Sequence, residues 1–395
     1  MKKYSLNIVY LFVLLFFSFN TKAESSKENK EFKISLLSVG EGQSLADAFG
    51  HTGIRVVDKK TNNDVIFNFG IYDYNAPNFY SNFVKGRPIY KLGVQNYRAF
   101  TKNYIRENRY IIEHEINLDE KSTQKIIDLL VKNLEKPNYV YDYLRDNCST
   151  RVADLFIEET EQQLYNSELD IITENSYRKL IHSKTNENSW GALGIDLCLG
   201  AVMDRQISLR ETLFLPEKLM QYMDTLIKND SKLITKNIIF SPQKSLSYNE
   251  KQPSPFIVNS LISLLLIFMT YFNFKNRSWN KIVDILIYFI TGTLGILIIY
   301  LWFFSNHFAS AQNFNFLWAF PFNLIMVYAL LRKNPPNWTV NFVKLNIILI
   351  VLLFIHWVTG VQKYNITLLP IFIALLVRYT YLIIQIKKSE YEDLH

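Results

Sequence analysis

The sequence predicts an α+β domain held outside the membrane, followed by an all-α membrane domain of five helices. Two observations lead there. Apolar residues are massed at the extreme N-terminus and again beyond about Pro253 of the 395-residue chain. Between them lies a polar stretch in which period-2 alternation and helical spacing take turns, the pattern of a mixed α and β unit.

The opening "MKKYSLNIVYLFVLLFFSFNTKA" has Lys2 and Lys3, an apolar run from Ile8 to Phe19 and a small residue at Ala23. That order predicts a secretory signal peptide over 1–23, because the run is shorter than the ~20 residues that span a bilayer. The polar middle is therefore expected to be exported. Residues 24–220 hold its elements in turn. "FKISLLSVG" alternates as a strand, "SLADAFG" is a short helical segment closed by Gly50, and "HTGIRVVDKKTNNDVIFNFGIYD" reads as a hairpin about a polar turn. "PNFYSNFVKGRPIYKLGVQ" turns at Gly86–Pro88, "RYIIEHEINL" is a further strand, and "DEKSTQKIIDLLVKNLEK" has helical spacing from Asp119. A last helix runs through "STRVADLFIEETEQQL", and the polar residues 221–253 read as a tether.

Five apolar segments follow, at 255–274, 283–304, 314–331, 342–360 and 366–386, each about long enough to cross a ~30 Å hydrocarbon core. They define a membrane domain over 254–388 with a cytoplasmic tail at 389–395. The connecting loops alternate in charge. Lys275, Arg277 and Lys281 follow the first segment, "SNHFASAQN" after the second has no basic residue, and Arg332, Lys333 and Lys344 follow the third. That alternation keeps the preceding domain outside. The net charge of +7 is thus partly topogenic, and nucleic acid is excluded as a partner outside the cell.

The chain has two cysteines. Cys148 lies in "YDYLRDNCSTRVADLF", where a polar turn runs into an amphipathic helix. A helix N-terminus favours a thiolate, and its free N–H groups could hold an oxyanion. Its neighbours Arg145, Asp146, Asn147 and Ser149 are polar, unlike those of a packing cysteine. A disulfide to Cys198 is open in an oxidising compartment, but "GIDLCLGAVMD" reads as a packed setting. His51 follows a glycine at a strand start. In the hairpin, Asn68 and Tyr72 come near it as candidates to orient the ring, with a plain turn-side polar role as the alternative for Asn68. Tyr141 and Asp142 are candidates to shape an oxyanion site. Arg55 and Arg151 are candidates for a phosphate headgroup, against the default of solvated arginine. No metal motif or phosphate loop is present, and no cofactor is expected.

These residues resemble a known family. "GH" opening a hairpin, with "NC" opening a later helix, is similar to the circularly permuted papain-like and NlpC-type folds, in which histidine precedes cysteine. More closely, "FGHTGIRVVD", "NFGIYDYNAPNFYSNFVKGRPIY", "YDYLRDNCSTRVAD" and "GIDLCLGAVMDR" resemble the Lnb N-terminal periplasmic domain family of lipoprotein N-acyltransferases. The outer loop "NHFASAQNFNFLWAFPF" resembles the membrane part of that family, and on this likeness His307 is a candidate for a headgroup or acceptor amine. The resemblance implies an inner-membrane thiol acyltransferase with its catalytic domain on the periplasmic side. Cys148 would take an acyl chain from a phospholipid as a thioester, with His51 as base, and pass it to the amine of a diacylated lipoprotein. Two rivals stand beside it: an NlpC-type cell-wall peptidase or amidase, and a non-catalytic envelope binding protein.

Overall fold

"FKISLLSV" carries large apolar residues on both alternations, Ile34 and Leu36 on one and Leu37 and Val39 on the other, as a strand covered on two sides does. A computed structural model of the chain describes residues 31–159, 167–229, 233–244 and 246–394, so the signal peptide expected over 1–23 lies outside it. Strand β1 (Phe32–Val39) sends Ile34 and Leu36 into the larger core and Leu37 and Val39 into a smaller one on the opposite face. The hairpin of β2 (His51–Asp58) and β3 (Asn63–Ile71) closes through an Asp58 turn. The Asp58 carboxylate accepts the N–H groups of Lys60 and Thr61 at 2.8 and 3.2 Å, and Asn62 takes the left-handed φ of 55° that asparagine tolerates.

The chain continues through α1 (Phe79–Val84), β4 (Ile89–Asn96), α2 (Tyr97–Arg106), β5 (Ile111–Ile116), α3 (Glu120–Glu135), β6 (Asn138–Val140) and α4 (Cys148–Glu159). A two-stranded ribbon of β7 (Ile172–Ser176) and β8 (Gln206–Ser208) frames α5 (Tyr177–His182) and α6 (Trp190–Cys198). Then come α7 (Leu209–Thr212), α8 (Pro216–Asn229) and β9 (Ile234–Phe240). Seven strands form one antiparallel sheet in the order β6-β4-β3-β2-β1-β5-β9.

Helices α3, α4 and α8 cover one face of that sheet. Ile126, Val152, Phe156 and Met223 pack there against Leu36, Ile54 and Phe67. Phe100 of α2 covers the other face. Each fully buried side chain of this size contributes roughly 1.5–3 kcal/mol, so this packing clamps the hairpin that carries His51 onto the helix that carries Cys148.

Two expectations are revised here. Within the stretch read as a tether over 221–253, residues 221–229 continue α8 and Ile234–Phe240 form β9. Leu219, Tyr222, Met223 and Leu226 are buried at helical spacing, and β9 then pairs with β5 along the sheet edge. Its polar residues mark the outer faces of those elements, which a composition reading mistakes for linker. "SLADAFG" forms turns, not a helix; Ser44 and Asp47 bond to each other there and satisfy the loop locally.

Beyond Pro255 lie α9 (Pro255–Lys275), α10 (Lys281–Phe303), α11 (Asn323–Leu331), α12 (Trp338–Thr359) and α13 (Leu369–Leu394). Among the described residues, four apolar helical stretches are long enough to cross a membrane: α9, α10, α12 and the run Ile366–Lys388. The third apolar segment is divided between a 3-10 turn at Phe314–Leu317 and the nine-residue α11. Pro321 lies between them; proline lacks an N–H and disfavours helix just before it. The irregular backbone rests on α10 at Gly295, where a Cβ would stand 2.1 Å from the Ala319 carbonyl oxygen. Such backbone is tolerated at membrane depth only where protein buries it, and Ala319 is fully buried. Asp284 of α10 and Arg378 of α13, both buried, join at 2.7 and 2.9 Å, and the Trp279 indole N–H donates to the same carboxylate.

From Phe32 onward the chain is one compact unit. The loop after α10 is stitched to the sheet domain by backbone. Gly200 N–H donates to Ala309 O at 2.8 Å and Ala201 N–H to Gln312 O at 2.9 Å. Asn313, Asn315 and Asn365 add side-chain amides to Leu197 O, Asp196 O and the Asp196 carboxylate. Asp196 is also paired with buried Arg178, which holds Asp204 as well. The sheet domain is therefore fixed on the outer ends of the helices.

Candidate active site

Gly50 has φ +77°, and a Cβ there would meet the Val39 carbonyl oxygen at 2.7 Å. Only glycine makes that turn without strain, and it delivers His51 as the first residue of β2. Across the sheet, β3 carries Asn68 with its side chain buried. The His51 Nε2–H donates to Asn68 Oδ1 at 2.7 Å, and the Asn68 amide donates in turn to Gln95 Oε1 at 3.3 Å. Phe100 and Tyr104 of α2 flank the imidazole, with ring centroids 6.3 and 6.2 Å away. With Nε2 engaged, Nδ1 is the nitrogen left for the hydrogen bond to Cys148.

Cys148 is the first residue of α4, buried and unpaired; Cys198, at the end of α6, is also free. Burial pushes the Cys148 thiol up, but the His51 imidazolium and the Thr52 backbone N–H outweigh it and hold the thiol below its ordinary value. Burial likewise disfavours charge on His51, yet the Cys148 thiolate and the Asn68 oxygen hold its pKa above that of free imidazole. Burial alone acts on Cys198 and pushes it up. The two cysteines thus part in reactivity by their neighbours.

The helix start itself is organised by Asn147. Its Oδ1 accepts from Ser149 N–H and Thr150 N–H at 2.8 and 2.9 Å, and its amide donates to Tyr143 O and Phe214 O. The expectation that several helix-start N–H groups stand ready for an oxyanion is therefore revised: the cap takes those of Ser149 and Thr150, which leaves that of Cys148 itself. Gly70, at φ +89°, sits against this point, and a Cβ there would lie 3.7 Å from Cys148 Cβ and 3.8 Å from the Tyr141 ring. Absence of a side chain keeps open the space beside the thiol.

The remaining sequence candidates fall in different places. Tyr141 is at the site, stacked on Tyr90 at 4.2 Å. Asp142 is turned inward on its own loop, where its carboxylate accepts from Leu144 N–H and Arg145 N–H, both at 2.9 Å. Tyr72 lies away from His51 in an aromatic group, accepting a hydrogen bond from the Tyr74 hydroxyl at 3.1 Å. Arg55 is taken up by Asp64 and Glu113 and lies over Tyr97. Arg151 forms a fork with Asp146 and lies 3.6 Å over Tyr139. His307 donates from Nε2 to Phe83 O at 2.8 Å, a bond between the outer loop and the sheet domain. Ion pairing consumes both arginines: Arg151 takes Asp146 from its own turn, and Arg55 takes Asp64 across the hairpin and Glu113 from β5.

Two family models match the chain. The Lnb N-terminal periplasmic domain matches residues 20–183, and the Lnb transmembrane domain matches residues 247–390. The chain belongs to the Lnb family. It is a membrane protein with a periplasmic domain and several transmembrane helices, and its Lnb domains point to an enzyme that modifies lipoproteins. Neither the curated proteins nor the solved structures yield a match. Within the Lnb periplasmic match lie four residues of the site that sequence reasoning did not single out, Thr52, Gln95, Tyr104 and Gly70, and a fifth, Asn147, that it read only as a polar neighbour of Cys148. Asn147 had a legible signal, an asparagine directly before a helix. Gln95 and Tyr104 had none, because only strand pairing and helix packing bring them in.

Proposed function

We propose that this Lnb protein is a thiol acyltransferase of the inner membrane. It moves a fatty acyl chain from a phospholipid, through a Cys148 thioester, to the N-terminal amine of a diacylglyceryl-cysteine lipoprotein. The observation that carries this reading is the buried Cys148–His51 pair with Asn68 behind it, in a domain bonded to membrane helices.

In the first half-reaction the Cys148 thiolate attacks the ester carbonyl of the donor. The tetrahedral oxyanion faces the Cys148 N–H at the start of α4. Collapse breaks the ester C–O bond, and the His51 imidazolium gives its proton to the departing lysophospholipid alkoxide. In the second half-reaction the lipoprotein amine attacks the thioester. Neutral His51 takes the amine proton, the amide forms and the thiolate leaves, which restores the starting pair. Splitting the transfer in two lets both lipids use one site in turn. Asn68 holds the ring so that Nδ1 addresses sulfur throughout. Acyl chains gain ~0.8 kcal/mol per buried methylene and stay in the bilayer, so a catalytic domain bolted to spanning helices suits substrates that never leave it.

The test is mass spectrometry of a lipoprotein N-terminal peptide from cells without other N-acyltransferases, carrying this protein or its Cys148→Ser form. An amide-linked chain with the wild type alone supports the reading; loss of an ester chain from the same peptide identifies the lipoprotein as its own donor. No added chain from either form overturns the reading in favour of a cell-wall hydrolase.

A further inference from the structure

Helix α1 divides its residues by helical spacing. Phe79 is buried, whereas Tyr80, Phe83 and Val84, at i, i+3 and i+4, share an outward face. Tyr80 is 70% exposed and Phe83 38% exposed, an aromatic surface that a domain in water has no reason to present.

Its position gives the reason. The end of α1 rests on the loop that leaves the spanning helix α10. Asn306 N–H donates to Lys85 O at 2.9 Å, and His307 Nε2–H to Phe83 O at 2.8 Å. The fit is tight: a Cβ on Gly86 would stand 2.6 Å from the His307 nitrogen. Phe303 and Phe304, at the outer end of α10, are themselves exposed, Phe304 by 72%. The exposed face of α1 therefore lies beside the outer end of a helix long and apolar enough to cross a membrane.

Charge agrees. Lys85 and Arg87 follow α1 directly, both exposed, and neither forms an ion pair among the described residues; Arg87 has a 3.5 Å hydrogen bond to Asn306 Oδ1. Aromatic rings at headgroup depth with basic side chains reaching phosphate are how proteins seat on a bilayer surface. From Phe83 an aromatic row leads inward, through Tyr143 at 6.2 Å and Tyr141 at 5.2 Å beyond it, to the space beside Cys148.

We propose that α1 is an interfacial foot. Tyr80, Phe83 and Val84 enter the periplasmic leaflet of the bilayer that the helices cross, and Lys85 and Arg87 bind the phosphates of its phospholipid headgroups. This assignment rests on the membrane placement of the chain and not on acyl transfer, so either can fail without the other.

The test is depth measurement by spin labelling of the full-length chain in nanodiscs of phosphatidylcholine with phosphatidylglycerol. Cys148→Ser and Cys198→Ala remove the native thiols, and one label is placed through Tyr80→Cys. A control label is placed through Lys59→Cys on the β2–β3 turn. The expected result is a label at position 80 that meets oxygen more than a water-soluble nickel chelate, with the reverse at position 59. Equal access of the chelate to both positions overturns the foot. Adding Lys85→Glu and Arg87→Glu is expected to move the label at position 80 toward water, as is omission of phosphatidylglycerol. An unchanged depth in both cases overturns the headgroup contact.

Discussion

The side chains of His51 and Asn68 meet at 2.7 Å although seventeen residues separate them, and the bond takes the one ring nitrogen that Cys148 does not need. A buried hydrogen bond of this kind fixes ring orientation, and its loss costs about 1–3 kcal/mol. Asn68→Ala should therefore slow acyl transfer roughly 10- to 100-fold, mostly in kcat. Steady-state rates with donor and acceptor in mixed micelles check this, and an unchanged kcat would remove Asn68 from the proposed machinery.

Charge on the pair sets a pH window. The Cys148 pKa is lowered, so its stabilising contribution is complete above the ordinary thiol pKa and is lost as pH falls through the depressed value. The His51 pKa is raised, so its contribution is complete below the ordinary imidazole pKa and is lost as pH rises through the elevated value. The two shifts are mutual, because each charge on the pair favours the other. Iodoacetamide at neutral pH should modify Cys148 well before Cys198, whose thiol is pushed up by burial. Peptide mapping of both cysteines, with and without His51→Ala, reads the difference, and equal rates in the wild type would contradict the charged pair.

Asn147 works on stability. It caps α4 through Ser149 and Thr150 and ties the turn to Phe214. Asn147→Ala should cost about 1–2 kcal/mol, the usual loss for a helix cap, and lower the melting temperature by a few degrees. Differential scanning fluorimetry in detergent measures it. A wild-type melting curve would show that other contacts hold the helix start.

Gly200 joins the two parts of the chain. A Cβ there would lie 1.8 Å from the Ala311 carbonyl oxygen, within the segment bonded by Gly200 N–H and Ala201 N–H. Gly200→Ala should force this seam apart at a cost of about 1–3 kcal/mol. Acyl transfer is expected to drop while iodoacetamide still selects Cys148, because the pair lies wholly within the sheet domain. Parallel loss of both readouts would show instead that the seam supports the fold of the site.

Within the membrane part, Asp284→Asn leaves Arg378 buried without its countercharge. Removing one partner of such a pair costs about 3–5 kcal/mol, whereas replacing both with apolar residues costs much less. Thermal unfolding in detergent should rank Asp284→Asn below the double variant Asp284→Leu with Arg378→Met. The opposite order would mean that Arg378 finds another partner.

What the sequence determined by itself follows from local and periodic physics. Alternation set β1, β2, β3 and β5, and hydropathy set the long helices from α9 onward, because side-chain periodicity and apolar length are written along the chain. The "GH" and "NC" motifs could be singled out for the same reason: a glycine turn and a helix start are local events. What only the tertiary structure decided are the relationships across the chain. Asn68 and Tyr72 lie on or beside the same strand end, yet register sends one to His51 and the other to Tyr74 and Tyr90. Arg55 and Arg151 look free until strand pairing and helix packing bring Glu113 and Tyr139 to them. Ile234–Phe240 look like part of a tether until β5 supplies an edge to pair with. The third apolar segment looks like a spanning helix until Pro321 and the flat surface at Gly295 let its backbone break there. Asn68 for His51, Glu113 for Arg55, β5 for β9 and Gly295 for the third apolar segment are all distant in sequence, and no local pattern carries their positions.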